Sequence, residues 1–292
     1  MADGVHSNTE LDATINEAWD MRADEARIAA GVLMPRVLNK SEIVAKSGDK
    51  INMTYLPRYA TGDPIKTVTA ATGVFVPQNR TPTSVQVVVD QWKEFSDETL
   101  DRAKAQSFWD PQSNFAKEGG EYFAEHYDRV LFALHTDLTS NVVKTALAPA
   151  PFDNNMLRSA MLKLDDRNVP MDDLNWFLPP VAFWNGIGAE PLFVDVSKSG
   201  LPQSILMSRN FKFKLGGAPS WSSTLCPTDG VSRIGLLLHK STFAIALQKN
   251  KEIKRAERTA ALTLSSVAVM GALYGVKTFR EDHGVKMFIS AS

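Results

Sequence analysis

The hydrophobic and polar positions of this chain change period several times, and each change marks an element. Residues 9–30 place Leu11, Ile15, Ala18 or Trp19, Arg22, Ala26 and Ala30 at helical spacing, with Thr9 positioned to cap. The stripe is thin and broken by charge, so this helix is expected to pack on a neighbour rather than build its own core. From 43 to 57 the period falls to two. Ile51, Met53 and Tyr55 alternate with Asn52 and Thr54 behind the turn signal Gly48-Asp49. Residues 83–92 read as a second strand, with Val85, Val87 and Val89 on one face. Between the two, Arg58 to Pro82 carries Gly62, Pro64, Gly73, Pro77 and Pro82 among Thr67, Val68, Thr69, Thr72, Val74 and Val76, which favour extended backbone. A connection of roughly 25 residues is uncommon in a compact domain unless it has a function, so the pattern predicts a projecting two-stranded arm.

Pro111 opens a long helix. Phe115, Tyr122, Phe123, His126, Val130, Leu134 and Leu138 follow a period close to 3.6. Run to Leu138 it would span roughly 40 Å at 1.5 Å per residue. Gly119-Gly120 inside it predicts a bend or a close contact. The pattern restarts after Ala148-Pro149-Ala150-Pro151, where a domain boundary is expected. Asn155 to Leu164 reads as a helix stopped by Asn168-Val169-Pro170, and Leu174 to Leu178 as a short apolar strand. Gly216-Gly217-Ala218-Pro219 reads as a turn. Ile234 to Leu238 and Phe243 to Leu247 are continuous apolar runs, suited to strands buried on both faces. Residues 259–274, rich in Ala, Ser, Val and Leu, fit helix or strand equally. Val276 to Phe279 and Val285 to Ile289 read as strands around a turn at Asp282-His283-Gly284. The class is α+β, with no internal repeat.

Composition narrows the function classes. The 292 residues leave room for about two domains. Basic and acidic residues number 32 and 33, for a net charge of -1, which argues against a protein that coats nucleic acid but not against a shell around it. No apolar run reaches membrane-spanning length, and the N-terminal residues lack a secretory pattern. The single cysteine, Cys226, cannot form an internal disulfide. It is either a reactive nucleophile or, more commonly for a lone cysteine, a small buried apolar residue.

The short motifs of catalysis are missing: no phosphate-binding loop, no complete dinucleotide fingerprint, no His-Glu-x-x-His, no Cys-x-x-Cys and no nucleophile elbow. Gly186-Ile187-Gly188 is a lone Gly-x-Gly. His126 and His135, nine apart on one helix, are a weak metal pair against a reading as two polar helix positions. Asp165-Asp166 and Asp172-Asp173 are paired carboxylates that more simply serve as helix caps and turn residues. Lys249, Lys251, Lys254, Arg255 and Arg258, mixed with Glu252 and Glu257, suit DNA phosphates or a solvated mixed-charge face. No cofactor, metal or catalytic residue is expected.

The order of elements is more informative than any motif. Glu42-Ile43-Val44 with Ser47-Gly48-Asp49-Lys50-Ile51-Asn52-Met53 looks like the entry to an extended loop. Val85 to Asp90 and Gln91-Trp92-Lys93-Glu94-Phe95-Ser96-Asp97 look like its return, followed by a polar helical stretch at Asp97 to Ser107. Glu121 to Leu131, with Asp128 in its middle, is similar to a spine helix. Leu157 to Pro170 looks like the first helix of an axial domain. Tyr274 to Arg280 with Gly284-Val285 looks like closing peripheral strands. Together they resemble the major capsid proteins of tailed bacteriophages, the Hong Kong 97-type fold, over almost the whole chain.

The resemblance implies an N-terminal arm (1–41), an extended loop (42–93), a peripheral domain with the spine helix (94–150), an axial domain (151–250) and closing peripheral strands (251–292). It implies a non-enzymatic coat protein that self-assembles as hexamers and pentamers into the icosahedral head of a virion. Assembly would occur in the host cytoplasm around double-stranded DNA, held without sequence-specific binding and without a membrane. A separate scaffolding protein and a portal are the implied partners, with a decoration protein left open. Arg58, Asp63, Lys66 and Arg80 lie in the breaker-rich loop tip, where no local core explains charge, and are expected to pair with a neighbouring subunit. Too little chain precedes Glu42 for a cleaved scaffolding segment of the kind some relatives carry. Lys50 and Lys66 offer amines for the isopeptide cross-link of other relatives, but no asparagine follows Asn250 to accept it. Maturation is therefore expected without cleavage or cross-linking. Two other readings compete: an encapsulin-like compartment shell of the same fold, and a soluble α+β enzyme with a site that leaves no short motif.

Overall fold

The computed structural model describes residues 5–6, 31–44, 48–56, 81–100, 111–186, 214–260 and 263–290. The helix expected over 9–30 and the loop tip with Arg58, Asp63, Lys66 and Arg80 lie outside the described residues. In chain order the strands are β1 (Val5–His6), β2 (Leu38–Asn39), β3 (Lys50–Tyr55), β4 (Thr83–Val88), β5 (Gln91–Leu100), β6 (Val142–Val143), β7 (Leu174–Leu178), β8 (Lys214–Leu215), β9 (Ala218–Ser222), β10 (Thr228–Asp229), β11 (Ser232–His239), β12 (Phe243–Ala260), β13 (Thr263–Thr278) and β14 (Gly284–Ser290). The α-helices are α1 (Ser41–Val44), α2 (Pro111–Ala133) and α3 (Asn154–Asp165).

Among the described residues two large sheets form. One has the order β1-β5-β13-β12-β2; the other has the order β6-β14-β11-β7-β9-β8, with β10 on the edge of β11. A separate ribbon pairs β3 with β4. Three apolar cores follow from strict alternation along the shared strands. On β12, Phe243, Ile245 and Leu247 face α2, while Ala244 and Ala246 face the base of the β3–β4 ribbon. On β11, Ile234, Leu236 and Leu238 face the α2 core, and Leu237 faces the core under α3. Both strands are buried on two sides, which is why their sequences are unbroken apolar runs.

The long helix forms as expected and ends in a 3-10 turn at Leu134–Asp137. Its glycine pair marks a close contact. A Cβ on Gly119 would lie 3.0 Å from Met270 Cε and 3.1 Å from the Phe95 ring, so α2 presses directly on β13 and β5. The helix over 154–165 is capped by Asp153, whose Oδ1 accepts the Met156 N–H at 2.7 Å, and it buries Met156, Ala160 and Leu164. Gly216 and Gly217, both at positive φ, form the two-residue turn joining β8 to β9. Ala218 and Pro219, expected in that turn, begin β9.

Two expectations change, and one left open is settled. Residues 263–278 are strand throughout, settling the ambiguous segment. Asp97 to Leu100, expected to begin a polar helix, continue β5 and pair with Ser265 to Ala268 of β13; residues 101–107 lie outside the described residues. The ladder offered by β13 overrides a local composition that suits a helix. The strand expected over 83–92 is two strands, with Val89 and Asp90 between them. The last two strands flank a turn as expected, and the structure places them in different sheets. Residues 281–283 make a 3-10 turn, and β14 joins β11 in the other sheet. Two parallel contacts bring the chain before α3 to the same strand: β6 pairs with β14, and Ala150 bridges Ile289.

Candidate assembly surfaces

The β3–β4 ribbon is held chiefly at its apolar base. Ile51, Met53, Val87 and Val89 are buried with Val44 against Ala244 and Ala246 of β12. Its opposite face carries Asn52, Thr54, Ser84 and Gln86 into solvent, with Gln86 Nε2 donating to Asn52 Oδ1 at 3.1 Å. At the far end of the described ribbon, the Tyr55 ring meets Phe279 edge-on at 5.4 Å, with the Arg280 guanidinium 4.5 Å above it. A lone two-stranded ribbon is marginal in water. Here the apolar base supplies the missing support.

A second feature is a buried carboxylate. Asp128 on α2 is fully shielded from solvent. Its Oδ2 accepts the N–H groups of Val32 and Leu33 (2.9 Å for Leu33), and its Oδ1 accepts that of Met34 at 2.8 Å. These are the donors at the start of the 3-10 turn Met34–Arg36, where a negative charge is favoured. Burial pushes the Asp128 carboxyl up from its ordinary value, while the three N–H groups and Arg36 oppose that shift. Arg36 lies flat on Trp221, 3.3 Å from the ring centroid, and donates back to the Val32 carbonyl. The segment leading out of the N-terminal region is thus clamped between α2 and the second sheet. The sequence does hint at this: Phe123, Tyr127 and Leu131 line the buried face, and an acid beside them needs donors. Which donors it takes, nearly a hundred residues away, leaves no local signal.

A third feature is an open groove of about 450 Å³ between β5 and α2, lined by Lys93, Glu94, Phe95, Tyr122, Phe123, Glu125, His126 and Arg129. Tyr122, on its lining, is 40% exposed. Phe95 stacks on Phe115 at 5.1 Å on its floor, and Arg129 pairs with Glu125 along its rim.

The candidate chemical residues are accounted for structurally. His126 Nε2 meets Tyr274 Oη at 2.7 Å, and His135 Nδ1 meets the Phe132 carbonyl at 2.8 Å; the structure does not bring the two together on one ligand. No cluster of three metal-binding side chains occurs among the described residues. Cys226 is buried in the α2 core, and burial pushes its thiol up to about 12, so it is protonated and apolar in use. Asp165, Asp166, Asp172 and Asp173 are exposed around the end of α3 and the turn before β7. Lys249 and Lys254 are exposed on β12, beside two irregularities in its pairing with β13.

No family model matches this chain, and no curated protein matches it. Solved structures do. A structure from Mycobacterium phage Che8 superposes at a TM-score of 0.74 with 19% identity, covering 94% of this chain and 96% of that one. The capsid of cyanophage P-SCSP1u gives 0.71 with 12% identity, over 97% and 95%. The capsid asymmetric unit of cyanophage Pam1 gives 0.72 with 11% identity, over 100% and 99%. The chain therefore has the fold of the tailed-phage capsid subunit, from end to end.

Proposed function

We propose that this chain is the major capsid protein of a tailed bacteriophage, a structural subunit that self-assembles into the icosahedral head enclosing the genome. The observation that carries the reading is whole-length agreement with phage capsid subunits at both ends of the alignment, with neither chain leaving a large unmatched domain. In this reading the five-stranded sheet with α2 is the peripheral unit and the other sheet with α3 is the axial unit at the centre of hexamers and pentamers, so residues 243–250 of β12 pass from the axial domain expected from sequence to the peripheral unit, and β14 passes the other way. A scaffolding protein and a portal take part in assembly in the host cytoplasm. A decoration protein is an optional addition, and double-stranded DNA packs inside without sequence-specific contacts. Purified protein examined by electron microscopy, alone and with the neighbouring phage genes, is expected to give capsomers, tubes or closed shells. Sedimentation as a monomer under every salt and scaffold condition would sink the proposal.

The arm has its own test. Arg58, Asp63, Lys66 and Arg80 are proposed to pair with a neighbouring subunit. Each exposed pair contributes only about 0–1 kcal/mol, but repetition around a capsomer sets register. Deletion of residues 60–80 is expected to leave the cores of the subunit folded, because the ribbon base is buried independently of that segment, while closed shells are lost. Normal shells from the deletion variant would remove the arm from the assembly mechanism.

A further inference from the structure

Both sheets end at one cluster of polar side chains. β11 stops at His239 and Lys240 to Thr242 pass the chain to β12; β13 stops at Thr278 and residues 279–283 pass it to β14. The two crossings lie side by side. Thr242 Oγ1 sits 2.8 Å from the His239 carbonyl and 2.9 Å from the His283 carbonyl, its single proton shared between them. The Thr242 carbonyl accepts the N–H groups of Phe279 at 2.8 Å and Arg280 at 3.2 Å. Asn141 Nδ2 donates to the Asp282 carbonyl at 2.9 Å and holds the second crossing from behind.

Through this junction runs a row of side chains whose proton positions are determined. Arg280 Nη1 lies 3.2 Å from His283 Nε2. A guanidinium can only donate, so Nε2 accepts and the His283 proton sits on Nδ1. That proton is given to Ser241 Oγ at 2.8 Å. The Ser241 hydroxyl is then free to donate to His239 Nδ1 at 2.7 Å, and the Ser241 backbone N–H points at the same nitrogen from 3.2 Å. His239 Nδ1 therefore accepts, and its proton sits on Nε2. The two rings are edge-on at 5.4 Å.

We propose that this row, Arg280–His283–Ser241–His239, is a proton-operated latch between the two sheets, closed while both imidazoles are neutral and opened by uptake of one proton. A second proton on His239 would aim an N–H at the Ser241 backbone donor and force the Ser241 hydroxyl to turn from donor to acceptor. A second proton on His283 would aim one at Arg280. Either way a charged donor faces a donor in a half-buried site, and the row breaks. The surrounding charges are mixed. Asp282 Oδ2 is 3.8 Å from His283 Nε2, Asp172 and Asp173 face His239 from the turn before β7, and Arg280 and Lys240 oppose them. Burial is the largest influence and holds both histidines below their ordinary value of 6.5. A depressed base binds fewer protons folded than unfolded. The stability held in the latch is thus present above 6.5 and is lost as pH falls below that value towards the folded pKa. The inference rests on the fold alone and stands apart from the assembly reading.

Two measurements on the intact protein test it. Histidine-selective ¹⁵N spectra at about pH 8 should show His239 protonated on Nε2 and His283 on Nδ1, the neutral forms the donors require. Amide hydrogen exchange between about pH 7.5 and 5, corrected for intrinsic rates, should lose protection at Thr242, Phe279 and Arg280. The loss should exceed that at Leu236 and Met287 by about tenfold. His239→Asn keeps an acceptor oxygen near the Nδ1 position without a titrating group, and should flatten that loss. Reversed tautomers, no extra loss in the parent protein, or an undiminished loss in His239→Asn would each overturn the latch. If His239→Asn fails to fold, the tautomers and the parent exchange profile still decide.

Discussion

Asp128→Ala is expected to destabilise the subunit by about 3–5 kcal/mol, a large share of the 5–15 kcal/mol that holds a typical domain together. The reason is what the substitution leaves behind. The N–H groups of Val32, Leu33 and Met34 lose one acceptor between them, and Leu33 is fully buried. Unsatisfied buried donors cost about 1–3 kcal/mol each, offset in part by relief from burying a charge. Arg36 would also be left on Trp221 without its counter-charge. Asp128→Asn should fall between. Its oxygen can replace Oδ2 and keep the Val32 and Leu33 bonds, but its amide then meets the Met34 N–H donor to donor. Denaturant unfolding of the three proteins should rank them parent, Asn, Ala. Hydrogen exchange should show residues 32–39 opening first in Asp128→Ala, because Leu33 and Val37 are the points where that segment enters the core. A loss within about 0.5 kcal/mol, the range of ordinary surface substitutions, would mean that the clamp is ornamental.

How much of this was legible depended on whether a residue's partner lay near it in sequence. The two-sided strands at 234–238 and 243–247 are readable because burial on both faces leaves no polar position. The ribbon is readable because one face of β3 and β4 is buried and the other is wet. β13 was not. Met270, Ala272 and Tyr274 lie under α2, but Gly271 and Gly275 on its other face are buried by the close approach of Trp92 and Val88, so neither period emerges. β5 was misread past Asp97 because its charges suit a helix, and only pairing with Ser265 to Ala268 makes it a strand. The shared fate of β14 and β6 in one sheet is a matter of topology, which local pattern does not carry. Among site features, an acid on the buried face of α2 was visible and its donors were not. The four loop-tip charges lie outside the described residues, so their role rests on sequence position and on the assembly experiment.

Gly275→Ala is expected to be the most disruptive single-methyl change in the chain. A Cβ at that position would lie 2.0 Å from the Val88 carbonyl oxygen, 2.8 Å from its carbon and 3.1 Å from Val89 Cα. All three are backbone atoms, so no rotamer change relieves the clash. The chain at 88–90, where β4 hands over to β5, must lift off β13. That movement breaks the Tyr274–Gln91 register and pulls Val87 and Val89 out of the ribbon's apolar base. Inserting a methyl group into packed side chains commonly costs about 1–3 kcal/mol, and a clash between two backbones belongs at or beyond the top of that range. Gly271→Ala, four residues away on the same strand, is the control. Its Cβ would meet Trp92 Cζ2 at 3.0 Å, the far end of a half-exposed side chain that can swing aside. That change should cost about 1 kcal/mol or less, since only surface packing is disturbed. In the proposed assembly the ribbon carries the arm, so Gly275→Ala subunits that still fold should close shells poorly, whereas Gly271→Ala subunits should close them normally. Melting temperatures and particle yields for the two variants, measured side by side, decide the matter. Equal losses at both positions would mean that the crossing of 88–90 over Gly275 does not anchor the ribbon.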